Sequence, residues 1–288
     1  MAVRIGTSGF QYDDWREVLY PRGLAKARFL EHYAGEFDAV ELNFSYYGMP
    51  SARALAGLLR RTPEGFGFSI KLHGSMTHAR DADEAAYRAF REALRPLADG
   101  GRLLAVLGQF PQSLWPGPEA RAHLEKIRER FWDLPLVYEF RNRRWVRDEV
   151  RRWLRSIGVG TCCVDQPDLP NLAPPVLWVT APTAYVRFHG RNAEQWYEHE
   201  TSAERYHYRY GAEELRPWKG RIERLDAKAE RTLVFFNNHF RGNAVHNARE
   251  LKGLLGGSAG RGAALSEPAP SGGEGRGESK GSAGAPRK

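Results

Sequence analysis

Eight short, mostly apolar β-type runs are spaced along the chain, and helical patterns lie between them. The runs are Val3-Arg4-Ile5, Ala39–Asn43, Phe66–Lys71, Leu103–Leu107, Leu136–Phe140, Gly160–Asp165, Ala184–Phe188 and Thr232–Phe236. Most of them read as continuous hydrophobic stretches rather than as strict in/out alternation, the pattern of parallel strands covered on both faces. The intervening segments carry helix signals. Ser51 precedes a stripe of Leu55, Leu58 and Leu59, and Asp81 or Asp83 precedes Tyr87, Phe90, Leu94 and Leu97. Pro118 opens a segment with Leu124 and Ile127, and further helices are expected over 147–157, 212–225 and 243–255. Strand then helix, repeated about eight times, predicts an α/β fold, a TIM-type (β/α)8 barrel in a single domain. A doubly wound open sheet is the alternative, weakened because no Gly-x-Gly-x-x-Gly follows the first strand.

The barrel domain is expected to span residues 1–255. Residues 256–288 hold ten of the chain's 30 glycines together with Pro, Ser and mixed charge. Such a segment has too little apolar surface to fold and is expected to be a disordered tail. No run approaches the roughly 18 apolar residues of a membrane span, and the N-terminus reads as a strand rather than as a signal peptide. The two cysteines, Cys162 and Cys163, are adjacent. A disulfide between neighbours is strained, so a reduced, cytoplasmic setting is expected. The formal charge is +8, of which the tail contributes five basic and three acidic residues, leaving +6 on the body. That excess suits a phosphorylated ligand or nucleic acid, and equally a general bias toward basic residues.

In barrels of this kind the working residues lie at the C-terminal ends of the strands. Read to their ends, the runs supply Ser8 with Tyr12 and Trp15; Glu41 and Asn43; Lys71 with His73 and His78; Gln109; Glu139 and Arg141 with Trp145; Asp165; Arg187, His189 and Arg191; and Asn237 and Asn238. Ionisable or amide side chains at so many strand ends predict one polar ligand site, because charge buried at a barrel mouth is costly unless it is paired or bound. In that site Glu41, Glu139, Asp165 and His189 are the candidate acid/base residues. Tyr12, Trp15, Asn43, Lys71, His78, Gln109, Arg141, Trp145, Arg187, Asn237 and Asn238 are the candidate substrate-binding residues. Lys71, Arg141 and Arg187 would receive a phosphate or carboxylate, which makes a small anionic ligand the expected partner.

The same residues carry a family likeness. Gly6-Thr7-Ser8-Gly9-Phe10-x-Tyr12-x-x-Trp15, Val40-Glu41-Leu42-Asn43, Gln109-Phe110-Pro111, Glu139-Phe140-Arg141-Asn142-x-x-Trp145, Arg187-Phe188-His189-Gly190-Arg191 and Phe236-Asn237-Asn238 occur in that order. This set resembles the YecE-like family, the domain of unknown function numbered 72. The resemblance implies a TIM-type barrel and no settled activity. Leu42 is a mild departure from the family's usual residue there, and the Gly-rich tail lies outside the likeness.

The site residues alone suggest an enzyme of hydrolase, lyase or isomerase type, with no cofactor. In a metal-dependent variant, Glu41, His73, Glu139, Asp165 and His189 would be the ligands of a divalent ion, in competition with the nearby Lys and Arg. In a nucleic-acid variant, Trp196, Tyr197, Tyr206, Tyr208 and Tyr210, interleaved with basic residues, would stack on bases. The competing expectation is that this long loop forms a lid over the barrel mouth. A non-catalytic interaction module ranks last, because it leaves the polar mouth unexplained. Nucleophilic catalysis by Cys162 or Cys163 is not expected, since both lie inside a strand.

Overall fold

The computed structural model describes residues 3–201 and 203–256. Its eight strands are β1 (Val3–Ser8), β2 (Ala39–Leu42), β3 (Gly67–Lys71), β4 (Leu103–Phe110), β5 (Leu136–Phe140), β6 (Gly160–Asp165), β7 (Thr183–Phe188) and β8 (Arg231–Phe236). They pair in sequence order, all parallel, and β8 returns to β1 to close the barrel. Closure removes both sheet edges, so the strand backbone groups are paired within the ring. The eight runs read from the sequence fall on these eight strands. The described residues up to Gly256 form one compact unit. The tail expected beyond 255 otherwise lies outside the described residues.

Alternation along each strand separates two cores. One lies inside the barrel and includes Ala39, Leu107, Val137, Cys162, Val164, Tyr185, Leu233 and Phe235. The other fills the layer between sheet and helices and includes Val40, Ile70, Tyr138, Phe140, Val186, Phe188 and Phe236. Both faces are thus apolar, which is why the strands lack a polar side in the sequence. Gly6 marks a close approach inside this wall: a Cβ there would lie 2.0 Å from the carbonyl oxygen of Ala39.

The helices are α1 (Phe29–Ala34), α2 (Phe44–Tyr47), α3 (Ala52–Arg60), α4 (Gly74–Thr77), α5 (Glu84–Asp99), α6 (Pro118–Arg130), α7 (Asp148–Ser156), α8 (Ala212–Asp226) and α9 (Asn243–Leu254). Their starts follow local chemistry. Ser51 Oγ accepts from Ala54 N and the Asp83 carboxylate accepts from Ala86 N, so the expected caps form. Pro118 opens α6, where its missing N–H has no helical partner to lose.

The eightfold strand-helix repeat is broken once. No helix joins β6 to β7. The connection, residues 166–182, contains Pro167, Pro170, Pro174, Pro175 and Pro182, a density that denies a helix its donors and its φ/ψ freedom. It is fastened instead by single contacts, including the Thr161–Thr180 hydroxyl pair at 2.8 Å and Gln166 Nε2 donating to Ala173 O at 2.8 Å. Among the described residues, no helix is long and apolar enough to cross a membrane.

Candidate active site

At the C-terminal end of the barrel, side chains from β1, β2, β3, β5 and β7 meet across the interior. Arg187 is the centre. Its Nη2 donates to Glu41 Oε1 at 2.6 Å and its Nη1 to Glu139 Oε2 at 2.7 Å. Since β2, β5 and β7 are not neighbours in the ring, these three side chains can meet only inside it. Glu41 also accepts from Ser8 Oγ at 2.6 Å and from Tyr185 OH at 2.7 Å, and Tyr185 OH in turn lies 2.7 Å from Ser69 Oγ. Glu139 accepts from Arg141 Nε at 2.6 Å. Both carboxylates and Arg187 are almost wholly excluded from solvent. An ion network at this depth is tolerable only because nearly every charge is answered at hydrogen-bond distance.

The electrostatics of this network revise the expected roles. Burial alone would raise the Glu139 carboxyl, but the charges of Arg187 and Arg141 outweigh it and hold the group well below the usual carboxylate range. Glu139 is therefore a fixed anion and not the raised-pKa base expected of it. Burial, followed by the charge of Arg141, pushes His189 down to about 3. Its imidazole is neutral at pH 7 and cannot serve as the imidazolium acid. Asn237 Nδ2 lies 3.1 Å from His189 Nδ1, and since an amide nitrogen only donates, the ring proton is placed on Nε2. That nitrogen is 3.2 Å from Glu139 Oε1 but off the donor axis, and it makes no hydrogen bond among the described residues.

Lys71 differs from the two arginines. Strand alternation sends it inward, like Ser69, into the field of Arg187, Glu139, Glu41 and Arg141. Yet among the described residues its Nζ makes no hydrogen bond and no ion pair. It sits 4.2 Å from the centre of the Tyr46 ring, and its side chain is only partly buried. Burial, reinforced by the Arg187 charge, lowers its pKa to about 7. His78 packs edge-on against the same Tyr46 ring at 4.9 Å, and burial with the Lys71 charge lowers it to about 4. Arg141 keeps spare donors. Its Nη1 reaches Gln166 Oε1 at 3.3 Å, and its guanidinium lies 5.7 Å from the Trp196 ring centre.

Trp196 belongs to the long segment between β7 and α8. This segment turns at Gly190, whose φ of +87° and tight contact with Tyr208 require glycine. Trp196 is buried, with the Arg141 and Arg205 guanidinium groups 5.7 and 5.6 Å from its ring centre. Tyr206 comes from the same segment, with its ring 6.3 Å from His189 and 5.7 Å from His239. Burial would raise its phenol, but Arg141, Arg205 and Arg187 together bring the pKa below its ordinary value. The loop read as an aromatic lid thus carries two aromatic rings to the cationic cluster.

The other expected residues divide by which way they point. Asn43 and Gln109 share the inward parity, and Asn43 Oδ1 is buried with no hydrogen bond among the described residues. Tyr12 stacks on His239 at 4.6 Å and donates to Ser8 O at 2.8 Å. Trp15 and Trp145 are buried and hold loops: their indole N–H groups donate to His239 O at 2.7 Å and Leu114 O at 2.8 Å. Neither indole N–H is left to bind a ligand. Asn238 faces outward and ties Tyr208 O and Asn247 Oδ1 at 2.8 and 2.9 Å. Asp165 also faces outward. Its oxygens accept from Arg191 at 2.6 and 2.8 Å, from Tyr210 OH at 2.7 Å and from Trp218 Nε1 at 2.9 Å. It stands in the strand-helix layer, apart from Glu41 and Glu139, and the catalytic role expected of it does not fit that position.

The metal variant gains no geometry. His73 Nδ1 pairs with Ser75 at the start of α4, and among the described residues no three His, Cys, Asp or Glu side chains converge as a metal site. Both thiols are free and buried. Cys162 faces the interior, with Sγ 3.7 Å from Glu139 Oε2, and burial pushes Cys163 up to about 12. The sequence reading missed Tyr185, Ser69 and Gln166 as members of the network. The first two follow from counting two residues back from Arg187 and from Lys71, since alternate residues share a face.

A family model described as "Protein of unknown function DUF72" matches residues 4–272. The chain belongs to this family. It is 31% identical over 269 residues to UPF0759 protein YunF of Bacillus subtilis (strain 168), a match covering 88% of this chain and 94% of that protein. Among solved structures it is similar to a DUF72 family protein (TM1631) from Thermotoga maritima MSB8. That match has a TM-score of 0.83 and 40% identity, and it covers 89% of this chain and 100% of the other. A DUF72 protein (EF0366) from Enterococcus faecalis V583 matches with a TM-score of 0.81 and 28% identity, over 88% and 95% of the two chains. The motif likeness and the barrel fold read from the sequence agree with these matches, and the family's description carries no activity.

Proposed function

We propose that the chain is an enzyme acting on a small anionic molecule, bearing phosphate or carboxylate, by general acid/base chemistry at the barrel mouth. The observation that carries this reading is Lys71. The inward cluster holds the cations Arg187, Arg141 and Lys71 against the carboxylates Glu41 and Glu139. The two carboxylates are bound by the arginines, and Lys71 alone in the cluster has no counter-ion among the described residues. A ligand anion supplies what the protein does not. Arg187, expected to bind that anion, is instead occupied by Glu41 and Glu139, so its role is to fix them. The anion would lie between Lys71 and the spare donors of Arg141, with Asn43 and Gln109 orienting its neutral groups. A pKa of about 7 suits Lys71 to give and take a proton near neutrality. The partly buried phenol of Tyr206 offers a second exchangeable proton.

The reading is tested by calorimetric titration with inorganic phosphate and with malonate at low ionic strength. One charge-assisted contact contributes about 1.5–3 kcal/mol, or roughly 10- to 100-fold in affinity. Lys71→Met is expected to weaken binding by that factor and Asp165→Asn to leave it unchanged. Equal affinity for wild type and Lys71→Met would exclude the site.

A further inference from the structure

We propose that Lys71 is a covalent catalyst, forming an imine with a carbonyl carbon of the anionic substrate. This deepens the reading above and rests on it, and it narrows the substrate to an aldehyde or ketone that also carries a carboxylate or phosphate.

The geometry sets Lys71 apart from an ordinary buried ion-pair lysine. Its amine ends a barrel strand and points to the interior, as expected for a residue that meets a bound ligand. Among the described residues no carboxylate holds it: Glu41 is occupied by Arg187, Ser8 and Tyr185, and Glu139 by Arg187 and Arg141. The face of Tyr46 lies 4.2 Å from Nζ, a contact that itself favours the ammonium, so it is burial and the Arg187 charge that oppose it. The Arg187 charge opposes a second positive charge at this place. These surroundings withdraw the proton near neutrality, and a neutral amine is the form that attacks a carbonyl. Arg141, with Nη2 free among the described residues, is placed to hold the substrate's anionic group while the amine reacts.

The step balances without an external reagent. The Nζ lone pair adds to the carbonyl carbon and the oxygen becomes an alkoxide. A proton passes from nitrogen to that oxygen, giving the carbinolamine. The hydroxyl then leaves as water with a proton from Tyr206, whose phenol the surrounding arginines make more acidic than usual. The C=N double bond forms as the C–O bond breaks, and the tyrosinate recovers its proton from solvent. Positive charge on the imine nitrogen is tolerated beside Glu41 and Glu139, whose fields already favour the charged lysine. An imine of this kind withdraws electrons from the adjacent carbon, which fits the lyase or isomerase branch of the proposed chemistry rather than the hydrolase branch.

The test is reductive trapping. The full chain is incubated at pH 7 with pyruvate, glyoxylate or glycolaldehyde phosphate and cyanoborohydride, then mapped by peptide mass spectrometry. Expected is a single adduct on Lys71 with at least one probe, at least tenfold above that on any other lysine, suppressed by inorganic phosphate and absent in Lys71→Met. Lys71→Arg, which keeps the charge, should retain phosphate binding within about tenfold while losing the adduct. Modification spread evenly over surface lysines, or an unmodified Lys71 in a chain that binds phosphate, would overturn the imine and leave the anion site standing. An unmodified Lys71 in a folded chain that binds neither phosphate nor malonate removes both.

Discussion

Glu139 and Asp165 are both carboxylates near the C-terminal ends of neighbouring barrel strands, and both are nearly buried and bound by arginine. They do opposite work. Glu139 faces the axis and meets Arg187 and Arg141, with Lys71 near and, among the described residues, unpaired. Asp165 faces the helix layer, where Arg191, Trp218 and Tyr210 saturate it. The inner network holds one cation more than its carboxylates answer, whereas in the outer one a single arginine, Arg191, is shared by Asp165 and Glu214 and both Asp165 oxygens have donors. A barrel strand alternates between scaffold and site at each residue, so the parity of a position separates the two roles more sharply than its residue type.

The strongest way to break this contrast is to remove the arginine at the inner centre. Arg187→Met leaves Glu41 and Glu139 buried without their main partner and is expected to cost about 3–5 kcal/mol of stability in denaturant unfolding. A loss below about 1 kcal/mol would mean that the inner carboxylates are not held as described.

Acid comes next in size. His189 and His78 titrate at about 3 and 4 in the native state, each displaced downward first by burial. In the unfolded chain they take up protons at about 6.5. The unfolded state therefore binds more protons as the pH falls through this range, so stability is full above about 6.5 and is lost progressively toward 3. Thermal melts from pH 7 to 4 should show that decline, and His78→Phe should flatten it. Unchanged melting temperatures from pH 7 to 4 would contradict both displaced values.

Asp165→Asn perturbs the outer carboxylate instead. It weakens the Arg191 contact and forces the amide nitrogen toward a donor, at an expected cost of about 1–3 kcal/mol, with phosphate binding intact. A variant that melts like wild type but fails to bind phosphate would reverse the roles assigned to the two carboxylates.

Lys71→Met is the smallest stability effect and the only one of positive sign. The native pKa of about 7 lies below the unfolded value. The charged lysine thus opposes folding at neutral pH, and that penalty fades as pH rises toward about 10.4. The full displacement corresponds to roughly 4–5 kcal/mol. The solvent contact kept by the side chain reduces it, so the substitution should add about 1–2 kcal/mol at pH 7 and little at pH 10.5, read by urea unfolding at both. Destabilisation at pH 7 would show that Lys71 is a structural ion-pair member.

Much of this molecule is legible in its sequence. The eight strands are visible because parallel strands buried on both faces leave uninterrupted apolar runs. The caps at Ser51 and Asp83 follow from side-chain oxygens placed just before an apolar stripe. The β6–β7 connection was legible too, had the five prolines been weighed against the strand-helix rhythm. Glu41, Glu139, Lys71, Arg141, Arg187 and His189 stand out as strand-end charges, but grouping them with Asp165 and Asn238 ignores alternation. Asp165 is an odd number of residues from inward-facing Cys162 and Val164, and Asn238 is one beyond inward-facing Asn237. Tyr206 and Gln166 reach the network from irregular segments, where no period assigns direction. The double pairing of Arg187 with Glu41 and Glu139 is a three-body fact of closure, set by which non-adjacent strands face each other across the ring. Charge counting on a linear chain cannot separate it from the free state of Lys71.

Lys71, unpaired among the described residues, is the proposed anion-accepting cation of the inner network. Selective 13C labelling of lysine and an NMR titration of the Lys71 Cε resonance, with and without inorganic phosphate, test it directly. A midpoint near pH 7 is expected in the free protein, rising by at least one unit when phosphate binds. A midpoint near the ordinary lysine value of about 10.4, unmoved by phosphate, would contradict it.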